Sequence, residues 1–189
     1  MTYGKYKSIR NSAWQCLIDF NITSLPTDVF SIAKESGIKI VKNSNVGTLS
    51  PNEIGTSFLI GDKWHIVYRD TDIRQRCRFT IAHELGHIFL GHELNNGKHT
   101  RRFNATKPEE DEANRFAARI LAPACVIWAL NLHDPKEIRQ LCDVSRPVSE
   151  IRAERMEELY MRNKFLISPL ERQVYRNFQE FINKQKNPR

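Results

Sequence analysis

Cysteine pairs, long apolar runs and blocks of like charge are all missing from this sequence, and each absence removes a class of protein. The four cysteines, Cys16, Cys77, Cys125 and Cys142, are far apart and form no Cys-x-x-Cys pair. That spacing excludes a cysteine-based zinc ribbon and argues against a disulfide framework, so they read as reduced core thiols. No stretch approaches 18 consecutive apolar residues, which leaves no membrane span. The basic N-terminal segment is followed by polar residues rather than the apolar core of an export signal, and a cytoplasmic location is expected. Glycine and proline, eight of each, are too sparse for a fibrous or low-complexity chain. The formal net charge is +7, but acidic residues are interspersed with basic ones throughout, so no basic arm or stripe marks a nucleic-acid partner. DNA binding is therefore the disfavoured reading of the charge.

What remains is a 189-residue chain, 40% hydrophobic and 27% charged, able to bury a core of its own. Apolar residues Ile9, Ala13, Cys16, Leu17 and Phe20 recur at helical spacing. A second helix follows Pro26, with Val29, Ile32 and Ala33 on one face and Gly37 as its stop. Residues 38–41 alternate like a strand. Residues 55–60 and 64–68 are β-prone runs joined by Gly61-Asp62-Lys63, as in a hairpin. A long helix should then begin at a cap supplied by Asp70 or Asp72 and end at Gly91. Residues 94–107 are polar and read as a loop. Pro108 suits the first turn of another helix, which Pro123 closes. The second half is helical, and residues 137–152 have the cadence of helix, short turn, helix. Arg146, Arg152 and Arg155 there could meet phosphates, but Glu150, Glu154, Glu157 and Glu158 share the second helix and would repel them. A packing unit or protein-docking surface is the better reading. A last amphipathic helix uses Leu170, Val174, Phe178 and Phe181. The expected class is α+β, with a small antiparallel sheet packed against the long helix, then an all-helical part with a helix-turn-helix-like unit. The expected division is residues 1–125 and 126–189.

The chemistry is concentrated in His83-Glu84-Leu85-Gly86-His87. Residues four apart on a helix lie about 40° apart and one turn along, so both imidazoles can reach one ion. Glu84 sits beside them, placed to take a proton from water without being a ligand. Ile81, Leu85, Ile88 and Phe89 occupy the other side, and Gly86 keeps the helix slim near the histidines. With six histidines and fourteen glutamates, His-Glu-x-x-His would arise by chance in about one shuffled chain in a hundred. A third ligand decides the matter, because a catalytic zinc ordinarily takes three from protein. The extended pattern with a third histidine fails: it needs Gly at 90 and His at 93, where this chain has Leu90 and Glu93. His92 and His99 could still reach the cleft, although His92 reads as a solvated histidine at a helix end. The stretch Glu109-Glu110-Asp111-Glu112-Ala113-Asn114 offers carboxylates from a second helix. Ala113, Ala117, Ile120 and Leu121 define its buried face, and Glu110 falls within that face while Glu112 falls on the side of Arg115 and Arg119. A buried carboxylate must be paired or bind metal, which selects Glu110; the alternative is a solvated glutamate favoured by the helix dipole. Asn114, one turn on, could hydrogen-bond a ligand and fix its orientation. Ala113, Ala117 and Ala118 permit a close approach of the two helices.

The stretch from Phe79 to His87, followed by Glu110-x-x-Ala113-Asn114-x-Phe116-Ala117-Ala118-x-Ile120-Leu121-x-Pro123, resembles the ImmA/IrrE family of bacterial and phage metallopeptidases. Leu25-Pro26-x-Asp28, Ile32-Ala33 and Gly37-Ile38 are similar to its N-terminal region, and the resemblance covers about residues 12 to 160. It differs at Ala122, where the family usually has methionine, a packing position. The resemblance implies a zincin-like (gluzincin) fold for residues 1–125, with one zinc ion on His83, His87 and Glu110 and Glu84 as general base. It further implies a protein substrate, a helix-turn-helix repressor, cleaved during mobile-element induction or a stress response. The group stabilising the oxyanion is left open among His65, Tyr68, His92 and His99. A competing reading is a non-proteolytic regulatory module that docks to a repressor or DNA and uses the metal structurally; Glu84, which such a site does not need, favours the enzyme.

Overall fold

A computed structural model describes residues 2–94, 97–102 and 108–187. In chain order the elements are helices α1 (Tyr3–Asp19) and α2 (Val29–Glu35), strand β1 (Lys39–Lys42), helix α3 (Asn43–Val46), strands β2 (Glu53–Ile60) and β3 (Lys63–Tyr68), helix α4 (Arg74–Phe89) and strand β4 (Lys98–Arg102). Helices α5 (Pro108–Leu121), α6 (Ala124–Ala129), α7 (Pro135–Cys142), α8 (Arg146–Arg162), α9 (Pro169–Asn177) and α10 (Gln179–Lys186) follow. The class is α+β and mostly helical, as the periodicities require.

The contacts divide the chain into two compact units, which do not follow it in two blocks. One comprises Met1–Ile9 with Val29–Ala117; the other comprises Arg10–Asp28 with Ala118–Arg189.

In the first unit the strand order is β1-β3-β2-β4. The β2–β3 hairpin turns at Gly61, whose φ of 58° is the left-handed conformation that glycine adopts without cost. Strand β3 returns between β2 and β1 and so runs parallel to β1, while β4 adds antiparallel to β2. Part of the polar stretch 94–107 is therefore strand rather than loop; its residues 95–96 and 103–107 lie outside the described set. Ile66 and Tyr68 are buried on the sheet face that carries Gly55 and Ser57. Helix α4 crosses this face, with Ile81, Ala82 and Leu85 fully buried. Neither Asp70 nor Asp72 caps α4: the N-cap is Ile73, without a side-chain bond. Asp70 instead accepts hydrogen bonds from the Ser44 amide and hydroxyl, and Asp72 pairs with Arg76. Two close approaches set the depth of α4. A Cβ on Gly55 would collide with Thr80 Cγ2, and one on Gly86 would lie 3.1 Å from Ala113 Cα and 3.2 Å from its carbonyl oxygen.

In the second unit Ile120, Leu121, Cys125, Val126, Ile127, Ile138, Cys142 and Phe178 are fully buried. Helix α7 begins at Pro135, with the Asp134 side chain accepting from the Lys136 amide at 2.8 Å, and ends at Asp143 in the left-handed region. A short turn leads into α8, completing the helix-turn-helix-like unit. Among the described residues no helix is long and apolar enough to cross a membrane.

Candidate metal centre

Two helices of the first unit supply the donors. Residues 83 and 87 follow one another on α4, and α5 opens with Pro108 and then Glu109, Glu110 and Asp111, carboxylates that the positive end of the helix dipole favours. Because Gly86 has no side chain, α5 comes close enough for Glu110 to reach both imidazoles. His83 Nε2 and His87 Nε2 are 3.0 Å apart, and Glu110 Oε2 and Oε1 stand 3.3 Å from the one and the other. All three residues are buried, His83 completely. Among the described residues this is the one group of three or more His, Cys, Asp or Glu side chains that could hold a metal ion.

The donor set fits such an ion. Donors bound tetrahedrally at about 2.0–2.1 Å lie about 3.3–3.4 Å from one another, close to the spacings here. Proton placement agrees. His83 Nδ1 is 2.9 Å from Asn114 Oδ1, an acceptor, so a neutral His83 carries its proton there and turns a lone pair at Nε2 inward.

Glu84 is fully buried between α4 and the sheet. The Ser57 hydroxyl donates to its Oε2 at 2.7 Å and also lies 3.0 Å from His99 Nδ1. His99 enters because β4 pairs His99 with Ser57, which puts both side chains on the face that α4 covers. Its ring stacks on His87, centroids 4.8 Å apart, and its Nε2 donates to the His92 carbonyl at 2.9 Å. Burial keeps the His99 imidazole below its ordinary pKa, against the bond to the His92 carbonyl, which raises it.

His92 and Glu112 depart from the expectation. His92 is not a solvated helix-end residue: its side chain is 6% exposed, its Nδ1 is 2.9 Å from His87 Nδ1, and its Nε2 is 3.2 Å from Glu112 Oε2. Glu112, placed on the solvent side by its helical angle, is buried and also pairs with Lys5 of α1. A helical wheel sees one helix, and here α1 and the chain leaving α4 cover the side it leaves open. Of the other residues considered near the site, His65 alternates to the opposite sheet face from Ser57 and bonds the Lys63 carbonyl, and Tyr68 packs edge-on against Phe30. Ser57 had no sequence signal at all, since a serine in a β-prone run says nothing about its partner.

Two imidazoles and a carboxylate on a helix pair, with a buried glutamate beside them and a small sheet behind, have the construction of a metallopeptidase. Residues 29–154 match the IrrE N-terminal-like domain of the peptidase M78 family, more than half of the chain, and the chain belongs to that family. This agrees with the resemblance drawn from the His83–His87 stretch and the residues after Glu110. No curated protein matches the chain.

Proposed function

We infer that the protein is a zinc-dependent endopeptidase in which His83, His87 and Glu110 hold the ion and Glu84 is the general base. The observation that carries this reading is the approach of the His83 and His87 Nε2 atoms, 3.0 Å apart, to the Glu110 carboxylate, each 3.3 Å from one of its two oxygens, with the Glu84 carboxylate buried one residue along from His83. When bound, the ion supplies Lewis acidity toward a water molecule and a peptide carbonyl. Glu84 takes a proton from the water as its oxygen adds to the carbonyl carbon, then gives that proton to the amine nitrogen as the carbon–nitrogen bond breaks. Ser57 supports Glu84 in both states: its hydroxyl donates to the carboxylate, and after proton uptake it can accept from Glu84 and turn its own proton to His99 Nδ1. Asn114 keeps His83 in the tautomer that binds.

The substrate class follows from the family resemblance: a helix-turn-helix repressor, whose cleavage relieves repression in a mobile element or stress response. A DNA-directed role for α7 and α8 has less support, because Arg146 is paired with Glu150 and Arg155 with Glu158 on the helix that would face phosphates. The test is co-expression with a helix-turn-helix repressor encoded beside this chain, the arrangement that the family resemblance implies. Wild type should cleave it, and Glu84→Gln should leave it intact while still binding zinc. Equal survival of the repressor with both would remove proteolysis from consideration; equal cleavage by both would remove Glu84 as the base.

A further inference from the structure

We propose that His92 and Glu112 are positioning residues that fix the tautomer and orientation of His87, and so set the affinity of the site for a divalent metal. The inference rests on the reading of His83, His87 and Glu110 as ligands.

The turn after α4 places His92. Gly91 adopts a φ of 66°, its amide bonds the Ile88 carbonyl at 3.2 Å, and the His92 amide bonds the His87 carbonyl at 3.1 Å. These two bonds are a Schellman cap, which folds the chain back over the last turn of its own helix. The His92 ring therefore comes to rest against His87, centroids 4.9 Å apart and nearly edge to face. The bond from His99 Nε2 to the His92 carbonyl anchors the backbone there from β4.

Hydrogen-bond direction then allows one arrangement. To give a lone pair at Nε2, a neutral His87 must carry its proton on Nδ1. That atom is 2.9 Å from His92 Nδ1, which must accept, leaving the His92 proton on Nε2. There it points at Glu112 Oε2, 3.2 Å away, which accepts. Every bond has one donor and one acceptor. In the reverse direction His92 Nδ1 would donate, His87 would point a proton at His83 Nε2, and His92 Nε2 would face the carboxylate lone pair to lone pair. Glu112 thus polarises the chain toward the ligand-competent tautomer. Water is a poor substitute, since the His92 and Glu112 side chains are 6% and 5% exposed, and Lys5 supplies the countercharge to Glu112. The two ligand histidines are held differently: His83 by a neutral amide, His87 by an imidazole backed by a carboxylate. Partners of this kind typically change metal affinity 10–100-fold when removed.

The test measures zinc affinity of the full chain by competition with a chromophoric chelator, for wild type, His92→Phe, Glu112→Gln and the double variant. Apo thermal melts check that each variant folds. His92→Phe should weaken zinc binding about tenfold or more. Glu112→Gln should weaken it several-fold in the wild-type background and hardly at all beside His92→Phe, the non-additivity of groups acting in series. Nitrogen-15 NMR of zinc-loaded wild type, which needs no variant, should find the proton on Nδ1 of His87 and on Nε2 of His92. Wild type that binds no zinc would overturn the ligand reading and the relay with it. Tight binding by wild type and by His92→Phe alike, or a His92 proton on Nδ1, would overturn the relay and leave the ligands standing.

Discussion

Replacing Gly86 by alanine tests whether the spacing of α4 and α5 sets the metal site. The added methyl carbon would stand 3.1 Å from Ala113 Cα, 3.2 Å from the Ala113 carbonyl oxygen and 3.2 Å from Phe116 Cδ1. Carbon–carbon contacts are comfortable from about 3.5 Å, so α5 must retreat by a few tenths of an ångström, and two of the three obstructing atoms are backbone that cannot swing aside. Glu110 lies one turn before Ala113 on that helix and moves with it, whereas metal–ligand distances tolerate only about 0.2 Å. Stability should respond less. Alanine gains about 1 kcal/mol of helix propensity over glycine, against about 1–3 kcal/mol for overpacking, a net loss of about 0–2 kcal/mol. The expectation is a folded protein with its melting point lowered by a few degrees and zinc affinity down about tenfold or more, equivalent to about 1.4 kcal/mol. Chelator competition reads the affinity, and thermal melts of the apo protein read the fold. A variant that is destabilised but binds zinc as tightly as wild type would refute the idea that this contact governs the ligands.

Ser57→Ala should lower turnover about tenfold or more with little change in KM or zinc affinity, because a hydrogen bond to a buried carboxylate is worth about 1.5–3 kcal/mol; an equal loss of zinc binding would make Ser57 a packing residue instead. All four cysteines are buried, and burial pushes the Cys16 and Cys125 thiols up to about 12, so Ellman's reagent at pH 8 should find no fast thiol until denaturant is added. Rapid reaction of one thiol in the native protein would contradict that packing. Burial also raises the Glu171 carboxyl above its ordinary value, against hydrogen bonds from the amides of Leu166, Ile167 and Ser168 and the charge of Arg10. Its folded form holds the proton more tightly than its unfolded form, so its contribution to stability is full below about pH 4.5 and is lost as pH rises through the folded value. Urea midpoints of Glu171→Gln relative to wild type should therefore improve from pH 4 to pH 7, and a difference independent of pH would rule this out.

What could be read from the sequence was whatever one element settles by its own geometry. The His83–His87 spacing and the buried angle of Glu110 are properties of single helices, and the structure brings those three side chains together. So is the stop at Gly91, although its consequence, the return of His92 onto His87, depends on where the histidine ring lands and has no periodicity to announce it. Lys98–Arg102 carries no apolar alternation and becomes a strand because β2 offers it an open edge, a tertiary cause that polar residues do not advertise. The Asp70 and Asp72 caps failed for a similar reason: Ser44 and Arg76 compete for those carboxylates, and Ile73 takes the N-cap position. Glu112 is the instructive case. Its angle on α5 sets it apart from Glu110, but it would meet solvent there only if nothing covered that side. Lys5 arrives from α1, more than a hundred residues earlier, and His92 from the end of α4. A helical wheel therefore picks out the carboxylate that meets the two imidazoles of α4, while the carboxylate that meets His92 becomes visible only when a second and third element are in place.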